Sequence, residues 1–453
     1  MDPFAGVDRY LEEHLDASLR ELTGLCEIPS VGAQNTGLDE CAAMVAELLR
    51  KRGFEAMLLP TDGAPVVFAE RRGRSDKTLL FYNHYDVQPA EPLDLWESPP
   101  FEATLRGDKL YARGVSDDKG HFINRLFAID ALLDRDGELP CNIKFVVEGE
   151  EETGSPHLEG FVRKNTERLA ADACVWEFGE VDFQGVPVQY LGLRGICYVE
   201  LSVQTAKTDA HSGLGGTIFP NAAWRLVWAL NTLKGPDERI RIPDYYENVI
   251  PPTERDIELA TKIPSRANEY RSRYGIAGFL RGTQGGVELS LQEVFEPSCT
   301  ICGLTAGYQG TGGKTVLPCK ASAKVDLRLV PDQTPQEALS KLRSHLDAEG
   351  FDDVHIDFLG GIPPGRTDPD DPFVKLVVES AKEVYGVAMD VIPMVGGSGP
   401  NAIFLECLKL PVVTQGLGYP GTNAHAPNEN VRLDLYLKCA KHMTRILSLF
   451  AMT

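Results

Sequence analysis

Short apolar runs alternate with helical segments in the amino-terminal part of this chain. The runs TLLFYNHYDV, NIKFVVEGEEE and DACVWEFG each end in polar or charged residues, and a helical pattern follows DDKG. Such alternation predicts parallel strands joined by crossover helices. Because parallel strands end at the same edge of a sheet, the side chains that follow these runs are expected to gather there. The predicted fold class is α/β, with a mixed, mostly parallel sheet flanked by helices.

A different pattern begins at about Leu193. The segments LRGICYVELSVQT and KASAKVDLRLV (320–330) alternate apolar and polar residues, and helical patterns cover 221–230 and 335–348. Alternation is typical of strands with one solvated face, so these strands and helices together predict a separate α+β unit.

The Pro- and Gly-rich stretch GGIPPGRTDPDDP (360–372) is typical of a connection, and the first pattern resumes after it. We therefore predict a catalytic α/β domain formed by residues 1–193 and 363–453, interrupted by a lid inserted at 194–362. The long charged stretch 234–285 predicts only an excursion of that lid.

The charge balance excludes some classes of partner. The chain has 45 Lys+Arg against 66 Asp+Glu, a net charge of -21, which argues against sequence-independent binding of nucleic acid or of an anionic membrane. The N-terminal stretch MDPFAGVDRYLEEHL has no basic start followed by an apolar run, and no segment approaches the length of a membrane span. We expect no membrane association.

Cysteine usage indicates the compartment. The 10 cysteines are scattered, and several of them lie in apolar, strand-like runs, as buried thiols do. This usage is typical of a reducing cytoplasm. One CxxC is present, Cys299 and Cys302, but it has no second pair and no histidine at zinc-site spacing, so two ordinary strand cysteines are predicted there.

Two of the polar segments have structural explanations when each is taken alone. His84 and Asp86 share one face at the end of a strand, an arrangement that is typical of a structural histidine held by a carboxylate. Asp117 and Asp118 stand in a Gly-containing loop before a helix, where one carboxylate could cap the helix N-terminus. Capping accounts for one aspartate and leaves the other unexplained.

The third polar segment points to a cation. Four of the five residues at 148–152 are glutamates, and like charges at the end of an apolar strand repel one another unless a cation is present or solvent separates them. Glu177 follows another apolar run, and His425 lies in YPGTNAHAPNE after a further one. This set of nitrogen and oxygen donors suits zinc or manganese. Two such ions need a bridging carboxylate, and a glutamate outside the ligand set would serve as the base.

Eight segments occur in order across nearly the whole chain: NHYDVQP, ARGVSDDKG, EGEEETGS, LGLRGICY, DAHSG, DLRLVP, GGSGP and NAHAPNE. Together they resemble the dinuclear zinc metallopeptidase family of carnosinase-like cytosolic nonspecific dipeptidases, aminoacylases and carboxypeptidase G. The segments LGLRGICYVEL and DDKG are similar in particular to the nonspecific dipeptidases. The resemblance implies a zinc-peptidase-like catalytic domain and a lid domain through which two subunits form a homodimer.

The resemblance also implies a metal site for two divalent ions, zinc in the first place, with manganese or cobalt as alternatives. The implied ligands are His84, Asp117, Glu152, Glu177 and His425, with Asp117 bridging the two ions. Asp86 would orient the imidazole of His84, and Glu151 would be the general base that takes a proton from the attacking water. The peptide bond between Asp117 and Asp118 is expected to be cis.

Further residues are implied to bind the substrate, although each also has a structural explanation. His211, otherwise a surface turn residue, would stabilise the oxyanion from the partner subunit. Arg328, otherwise on a solvated strand face, would hold the free carboxylate of the substrate. Gly397 and Ser398, otherwise a flexible turn, would donate to the same carboxylate, and Thr315 is a further implied contact.

One position departs from the dipeptidase pattern. The carnosinase-like dipeptidases have aspartate where this chain has Glu177, whereas the aminoacylase and carboxypeptidase G branches have glutamate. The difference bears on whether a free amine of the substrate is recognised. Asp172 stands too early in its strand to be the first choice as an alternative ligand.

We therefore expect a metallopeptidase that cleaves the amide bond of dipeptides or small peptides with a free C-terminal carboxylate by metal-activated water. The alternatives are a carboxypeptidase or aminoacylase-type hydrolase of N-acyl amino acids, an enzyme for ureido or succinylated compounds, and a non-catalytic binding homologue. The complete set of implied ligands argues against the last of these.

Overall fold

The structure, a computed structural model, describes residues 3–453 and divides into two compact units. The first unit comprises Met1–Gly192, Arg366–Pro393 and Pro400–Thr453, and the second comprises Leu193–Gly365 and Met394–Gly399. The short loop Met394–Gly399 therefore groups with the second unit, although the sequence pattern assigned it to the segment 363–453.

The regular elements are numbered here in chain order. The α-helices are α1 Ala5–Cys26, α2 Leu38–Lys51, α3 Lys119–Asp136, α4 Leu158–Lys164, α5 Thr166–Leu169, α6 Ser212–Gly215, α7 Ala222–Leu233, α8 Glu254–Lys262, α9 Ala267–Tyr274, α10 Gly286–Phe295, α11 Pro335–Ala348, α12 Pro372–Tyr385, α13 Asn401–Ile403 and α14 Leu433–Phe450. The strands are β1 Glu55–Leu59, β2 Val66–Arg71, β3 Thr78–His84, β4 Thr104–Arg106, β5 Lys109–Tyr111, β6 Asn142–Glu148, β7 Ala173–Trp176, β8 Glu180–Val181, β9 Pro187–Tyr190, β10 Gly192–Leu193, β11 Gly195–Gln204, β12 Ala210–His211, β13 Ser298–Ala306, β14 Val316–Leu317, β15 Lys320–Leu329, β16 His355–Ile362, β17 Gly365–Arg366, β18 Asp390–Ile392, β19 Val412–Thr414 and β20 Asn430–Arg432. Within residues 3–453, no helix combines the length and the apolar content that crossing a membrane requires.

The first unit is built on a six-stranded sheet of order β1-β2-β6-β3-β7-β19. The four strands from β6 to β19 run parallel, whereas β1 and β2 pair antiparallel at one edge. β3 and β7 are buried along almost their whole length, as expected for strands covered on both faces. The prediction of a mixed, mostly parallel sheet flanked by helices is confirmed.

Helices of the first unit pack against one another and cover this sheet. α1 packs against α3 and α14, α14 also packs against α12, and α2 packs against β1 and β2. α3 begins at Lys119, directly after the loop that contains Asp117 and Asp118, and most of its side chains are buried. The loop is therefore attached to one of the most deeply buried helices of the unit.

Buried His442 of α14 makes the stability of the first unit dependent on pH. Its Nε2 lies 3.0 Å from Ser380 Oγ and 3.1 Å from the carbonyl oxygen of Val377. Burial lowers the pKa of His442 from 6.5 to about 4, and the charge of Arg445 acts in the same direction. Between these two values the unfolded chain binds a proton that the folded chain does not, so stability falls as the pH falls.

We expect His442→Gln to be destabilised at pH 6.5, and this destabilisation to shrink by about 3 kcal/mol as the pH falls to 4. As the pH falls, protonation of the His442 imidazole in the unfolded chain lowers the free energy of unfolding of the wild type. The variant has no imidazole at this position, so it does not lose stability in this way. Urea unfolding of both proteins at several pH values measures the difference. A difference that is constant over the range would contradict the prediction.

The second unit contains a four-stranded sheet of order β13-β15-β11-β16, in which all neighbours are antiparallel. Side chains alternate between buried and partly exposed along β11, and the buried ones pack with α7 and α11. Cys299 and Cys302 both lie in β13, which confirms the prediction of ordinary strand cysteines. The long charged stretch 234–285, for which the sequence predicted no regular elements, contains α8 and α9, and α10 begins directly after it.

Candidate metal centre

The carboxyl ends of three parallel strands place the predicted side chains at one edge of the first unit's sheet. β3 ends at His84, which is paired in register with Glu148 at the end of β6. A short 3₁₀ turn, Glu151–Thr153, follows β6, and Glu177 follows β7 directly. The apolar residues of each strand thus fix the place at which its last polar side chains emerge.

Asp117 lies between two imidazoles. His84 Nε2 is 3.0 Å from Asp117 Oδ1, and His425 Nε2 is 2.9 Å from Asp117 Oδ2. His425 Nε2 is also 3.2 Å from Glu152 Oε2, and Asp117, Glu152 and His425 each place one ligand atom within 4.8 Å of the others. Because each carboxylate oxygen of Asp117 faces a different histidine, this carboxylate is arranged to be shared between two positions.

Asp86 connects His84 to the glutamate turn. The Nδ1–H of His84 donates to the carbonyl oxygen of Asp86 at 3.0 Å, so Nε2 is the ring nitrogen that faces Asp117. The side chain of Asp86 is fully buried and lies 3.4 Å from the same Nδ1. Its two oxygens accept the backbone N–H groups of Glu151 at 3.2 Å and Glu152 at 3.1 Å. One buried carboxylate therefore fixes both the histidine and the turn.

Glycines allow close approaches around this turn. A Cβ on Gly149 would lie 2.3 Å from the ring of Tyr85, and a Cβ on Gly32 would lie 2.7 Å from Asp86 Oδ2. Real Cβ contacts do not occur at such distances, so any side chain at either position would displace its neighbour. The contact at Gly149 explains why glycine interrupts the acidic cluster in the segment EGEEE.

The charges of this site are unbalanced toward the negative. Glu177 is 8% exposed, and its Oε2 has no hydrogen-bond partner within the described chain. Burial and then the charge of Glu151 raise the pKa of Glu177. Burial also raises the pKa of Glu151 to about 8; His84 opposes this shift, whereas the charges of Glu152 and Asp117 add to it. An orphaned buried carboxylate oxygen among several acids is the environment that a bound cation satisfies.

The donor set fits divalent metal ions. Imidazole nitrogens and carboxylate oxygens are ligands of zinc, manganese and cobalt. His425 Nε2, one oxygen of Asp117 and Glu152 form one potential set. His84 Nε2 contacts the other oxygen of Asp117, and Glu177 interacts electrostatically with both of these residues.

Glu429 holds the loop on which Asp117 lies. Its carboxylate accepts the backbone N–H groups of Gly114 at 3.0 Å, Ser116 at 2.8 Å and Asp117 at 3.0 Å. It also accepts from Arg113 Nη1 at 2.7 Å, and both side chains of this ion pair are almost fully buried. Both residues lie in motifs, ARGVSDDKG and NAHAPNE, but the sequence pattern alone indicated no role for either of them. An acidic residue immediately before the buried strand β20 was the only available signal.

Asp118 ties the same loop to the end of β3. Its Oδ2 accepts from Asn83 Nδ2 at 2.6 Å and from the backbone N–H of His84 at 3.0 Å. Its Oδ1 lies 3.1 Å from His121 Nδ1. Asp118 occupies the N-cap position of α3 but makes no capping hydrogen bond, so the capping explanation does not apply to it. The peptide bond between Asp117 and Asp118 is cis, as the resemblance implies.

Asp172 lies away from this centre. Its Oδ2 accepts the backbone N–H of Thr78 at 2.7 Å, at the first residue of β3. His84 is the last residue of the same strand, so the two side chains stand at opposite ends of β3. Asp172 is therefore not available as an alternative ligand.

The remaining predicted residues belong to the second unit, where they form two groups. Arg328 on β15 donates from Nε to Asp326 Oδ2 at 3.0 Å and from Nη1 to Ser398 Oγ at 2.7 Å, and Gly397 is the neighbour of Ser398. His211 and Thr315 lie beside each other where β12 pairs with β14, because the carbonyl oxygen of Thr315 accepts the N–H of Ser212 at 3.1 Å. 

The ring of His211 is exposed and oriented by a local contact. Its Nδ1 accepts the backbone N–H of Gly213 at 3.0 Å, which places the hydrogen of the neutral ring on Nε2. Nε2 has no hydrogen-bond partner within residues 3–453. It is therefore a free donor.

Comparisons with known proteins agree with the motifs. A family model described as Peptidase family M20/M25/M40 matches residues 80–449. The human Beta-Ala-His dipeptidase is 30% identical over 461 residues, which cover 96% of this chain and 90% of that protein.

Solved structures agree as well. An M20 family metallo-carboxypeptidase from Sulfolobus solfataricus is 38% identical, with a TM-score of 0.92 over 96% of this chain and 99% of that chain. The di-peptidase Dug1p from Saccharomyces cerevisiae is 25% identical, with a TM-score of 0.84 over 100% of this chain and 99% of that chain. The resemblance inferred from the motifs is confirmed, and the chain belongs to peptidase family M20/M25/M40.

Proposed function

We propose that this peptidase is a dinuclear metal-dependent hydrolase that cleaves the amide bond of dipeptides with a free C-terminal carboxylate. The observation that carries the proposal is the position of Asp117, whose two oxygens face His84 Nε2 and His425 Nε2 separately. The similarity to the Beta-Ala-His dipeptidase and to Dug1p supports a dipeptide as the substrate.

Five residues would hold the two ions. His84, Asp117 and Glu177 would bind one ion, and His425, Asp117 and Glu152 the other, with zinc as the proposed metal and manganese or cobalt able to use the same donors. When bound, two divalent ions polarise the scissile carbonyl and make water a better nucleophile. Asp86 and Glu429 keep these ligands in position through the backbone contacts described above.

Glu151 is the proposed proton carrier. Its carboxylate forms no hydrogen bond or ion pair with another residue of the described chain, and Asp86 holds its backbone N–H. The carboxylate would accept a proton from the attacking water and then deliver it to the leaving nitrogen. Because a glutamate used in this way has to stay outside the metal ligands, Glu152 and not Glu151 is assigned to the ion near His425.

The second unit supplies the proposed substrate contacts. Arg328, whose guanidinium already contacts Ser398 Oγ, would bind the free carboxylate together with the loop at Gly397 and Ser398. The free Nε2–H of His211 would donate to the carbonyl oxygen as its negative charge develops. Thr315 stands beside His211 and is a further proposed contact.

Hydrolysis of N-acyl amino acids is the second candidate function. The similar structure from Sulfolobus solfataricus is a metallo-carboxypeptidase, and glutamate at position 177 matches the aminoacylase and carboxypeptidase G pattern rather than the dipeptidase one. Both candidates use the same metal centre and the same carboxylate contacts. They differ in whether the substrate has a free amine.

The test is release of amino acids by the metal-stripped protein after zinc, manganese or cobalt is restored. The panel contains dipeptides, the C-terminal amides of the same dipeptides, and N-acyl amino acids. We expect cleavage of the dipeptides only with metal present, and little cleavage of the amides because they lack the carboxylate that Arg328 binds. Cleavage confined to N-acyl substrates would favour the second candidate, and no cleavage with any metal would contradict both.

We further propose a homodimer formed through the second unit. Trp224 and Trp228 of α7 stack on each other while they are 57% and 55% exposed, and β13 is an edge strand with a neighbour on one side only. Large exposed apolar side chains of this kind are typical of association surfaces. The exposed large apolar residues of α6, the segment after it, α7 and β13 are Leu214, Ile218, Phe219, Trp224, Val227, Trp228, Ile301 and Leu304. Light scattering is expected to give a dimer for the wild type and a monomer for Trp228→Glu.

Mixing two inactive variants tests whether His211 acts on the partner's site. If it does, one site of a His211→Ala and Glu151→Gln heterodimer carries both lesions and the other carries none. We therefore expect activity to return when the two variants are mixed and allowed to exchange subunits. Mixtures that stay inactive although exchange is demonstrated would place His211 in the site of its own subunit.

We also propose that the protein acts in the cytoplasm. Cys141, Cys174 and Cys197 are buried free thiols in or beside apolar strands, which is typical of proteins from a reducing compartment. Fractionation of the source cells, with detection of the protein in the soluble cytoplasmic fraction, checks this proposal.

A further inference from the structure

Arg194 connects three segments of the second unit that are distant in sequence. Its backbone N–H donates to the carbonyl oxygen of Gly397 at 2.9 Å. Its guanidinium donates from Nη1 to the carbonyl oxygen of Glu293 at 3.0 Å and from Nη2 to that of Glu296 at 2.6 Å. The residue is 7% exposed. Arg194 therefore joins the start of β11 to the C-terminal end of α10 and to the loop Met394–Gly399.

This loop has little internal means of keeping its shape. Its sequence, MVGGSG, contains three glycines, which restrict the backbone less than any other residue. A Cβ on Gly396 or Gly397 would meet nothing within 4 Å, so the neighbours do not confine those positions. The conformation of the loop therefore depends on anchors at its ends and on its hydrogen bonds.

The anchors are formed by α10 and by the residues next to Arg194. Met394 is fully buried in a cluster with Val294 and Phe295 of α10. Val395 forms a bridge with Leu193, the residue before Arg194. α10 therefore makes both contacts: it accepts a hydrogen bond from the Arg194 guanidinium, and it packs against Met394, the first residue of the loop.

Arg328 and Ser398 lie next to this assembly. Ser398 Oγ accepts from Arg328 Nη1 at 2.7 Å, and Ile196, two residues after Arg194, pairs with Arg328 across β11 and β15. Burial lowers the pKa of Arg194 to about 10, and the positive charge of Arg328 is the next largest cause, which reflects how near the two guanidinium groups are. A shift of the loop would therefore change the contact between Ser398 and Arg328.

We propose that Arg194 is a positioning residue for the substrate carboxylate. It clamps α10 to the loop Met394–Gly399, and so holds Ser398 at the guanidinium of Arg328 without touching the substrate itself. The inference deepens the proposed function and rests on it, because it assumes that Arg328 and Ser398 bind a carboxylate. It also gives a role to α10 and to the arginine of the LGLRGICY segment.

The test compares Arg194→Gln and Arg194→Lys with a matched control. Arg343 of α11 makes the same kind of contact elsewhere in the second unit, from Nη1 to the carbonyl oxygen of Val354 at 2.6 Å and from Nη2 to that of Phe351 at 3.0 Å. The Nε of Arg194 and the Nε of Arg343 are both buried without a hydrogen-bond partner in the described chain. Arg343→Gln therefore removes the same two kinds of contact to carbonyl oxygens, together with an ion pair to Asp347 at 2.7 Å, in another part of the second unit.

Two readouts are measured in each protein. Hydrogen exchange of the peptide that contains residues 394–399 reports on the loop directly and does not depend on catalysis. The kcat and KM for the best dipeptide in the panel report on carboxylate binding.

We expect Arg194→Gln to raise loop exchange and KM by about tenfold each, with a smaller change in kcat. Arg194→Lys keeps a charged donor on a long side chain but not the fork of the guanidinium, so it should give intermediate values, and Arg343→Gln should match the wild type in both readouts. Loop exchange and KM in the Arg194 variants that equal those of Arg343→Gln would overturn the inference. If the wild type hydrolyses no substrate, the proposed function fails, and unchanged loop exchange in Arg194→Gln still overturns the loop role.

Discussion

Replacing Glu151 with glutamine is expected to lower kcat by about 10³-fold while the protein keeps both metal ions. Glutamine has nearly the shape of glutamate but cannot accept a proton at neutral pH, so only the proton transfer is lost. The metal content should not change, because the contacts among His84, His425, Glu152 and Asp117 do not involve Glu151. Steady-state kinetics and metal analysis of the purified variant measure the two quantities.

The neighbouring glutamate provides a control for this substitution. Glu150 Oε2 lies 2.7 Å from His157 Nδ1 and is not among the residues assigned to the metals or to the substrate. Glu150→Gln should therefore retain activity close to that of the wild type. A near-normal rate in Glu151→Gln would contradict its role as the base. Loss of one metal from Glu151→Gln would instead make it a ligand.

Replacing Glu429 with glutamine is expected to lower the free energy of unfolding by about 3–5 kcal/mol. The substitution leaves the buried guanidinium of Arg113 without its counter-ion. It also leaves one acceptor oxygen for the three backbone N–H groups of Gly114, Ser116 and Asp117, since the amide nitrogen cannot accept. Because Asp117 lies on this loop, the affinity for the metal should fall as well. Urea unfolding and metal titration of the variant test the two effects.

Two further variants distinguish the stability cost of an uncompensated buried charge from the cost of losing any ion pair. Glu159→Gln breaks an exposed pair with Arg163, and is expected to leave the stability unchanged within error. Arg113→Met in the Glu429→Gln background removes the uncompensated charge and should recover part of the lost stability. A cost for Glu429→Gln no larger than that for Glu159→Gln would contradict the assigned contacts.

The main elements of the site could be predicted from the sequence because their signals are local. β3, β6 and β7 are short, continuous apolar runs, and His84, Glu151 and Glu177 stand at or just after the ends of these strands. Parallel strands share one edge, so the end of each run already predicted which side chains would gather. The alternating pattern of β11 likewise indicated a sheet with one face buried by helices.

Other contacts of the site join segments that are distant in the chain, and no local sequence pattern predicts such contacts. Asp86 was expected to orient His84, but its carboxylate also accepts the two amides of the glutamate turn, 65 and 66 residues further along the chain. Arg113 and Glu429 pair across 316 residues, and only the fold reveals that both are buried.

The sequence by itself determined the fold class, the metal-binding chemistry and the family, because apolar periodicity and short motifs are properties of neighbouring residues. The tertiary structure alone decided that the loop Met394–Gly399 groups with the second unit and that Arg194 ties it to α10. The physical reason is that buried backbone N–H and carbonyl groups have to form hydrogen bonds. Long-range packing, rather than the local sequence, determines which partner lies near each of these groups.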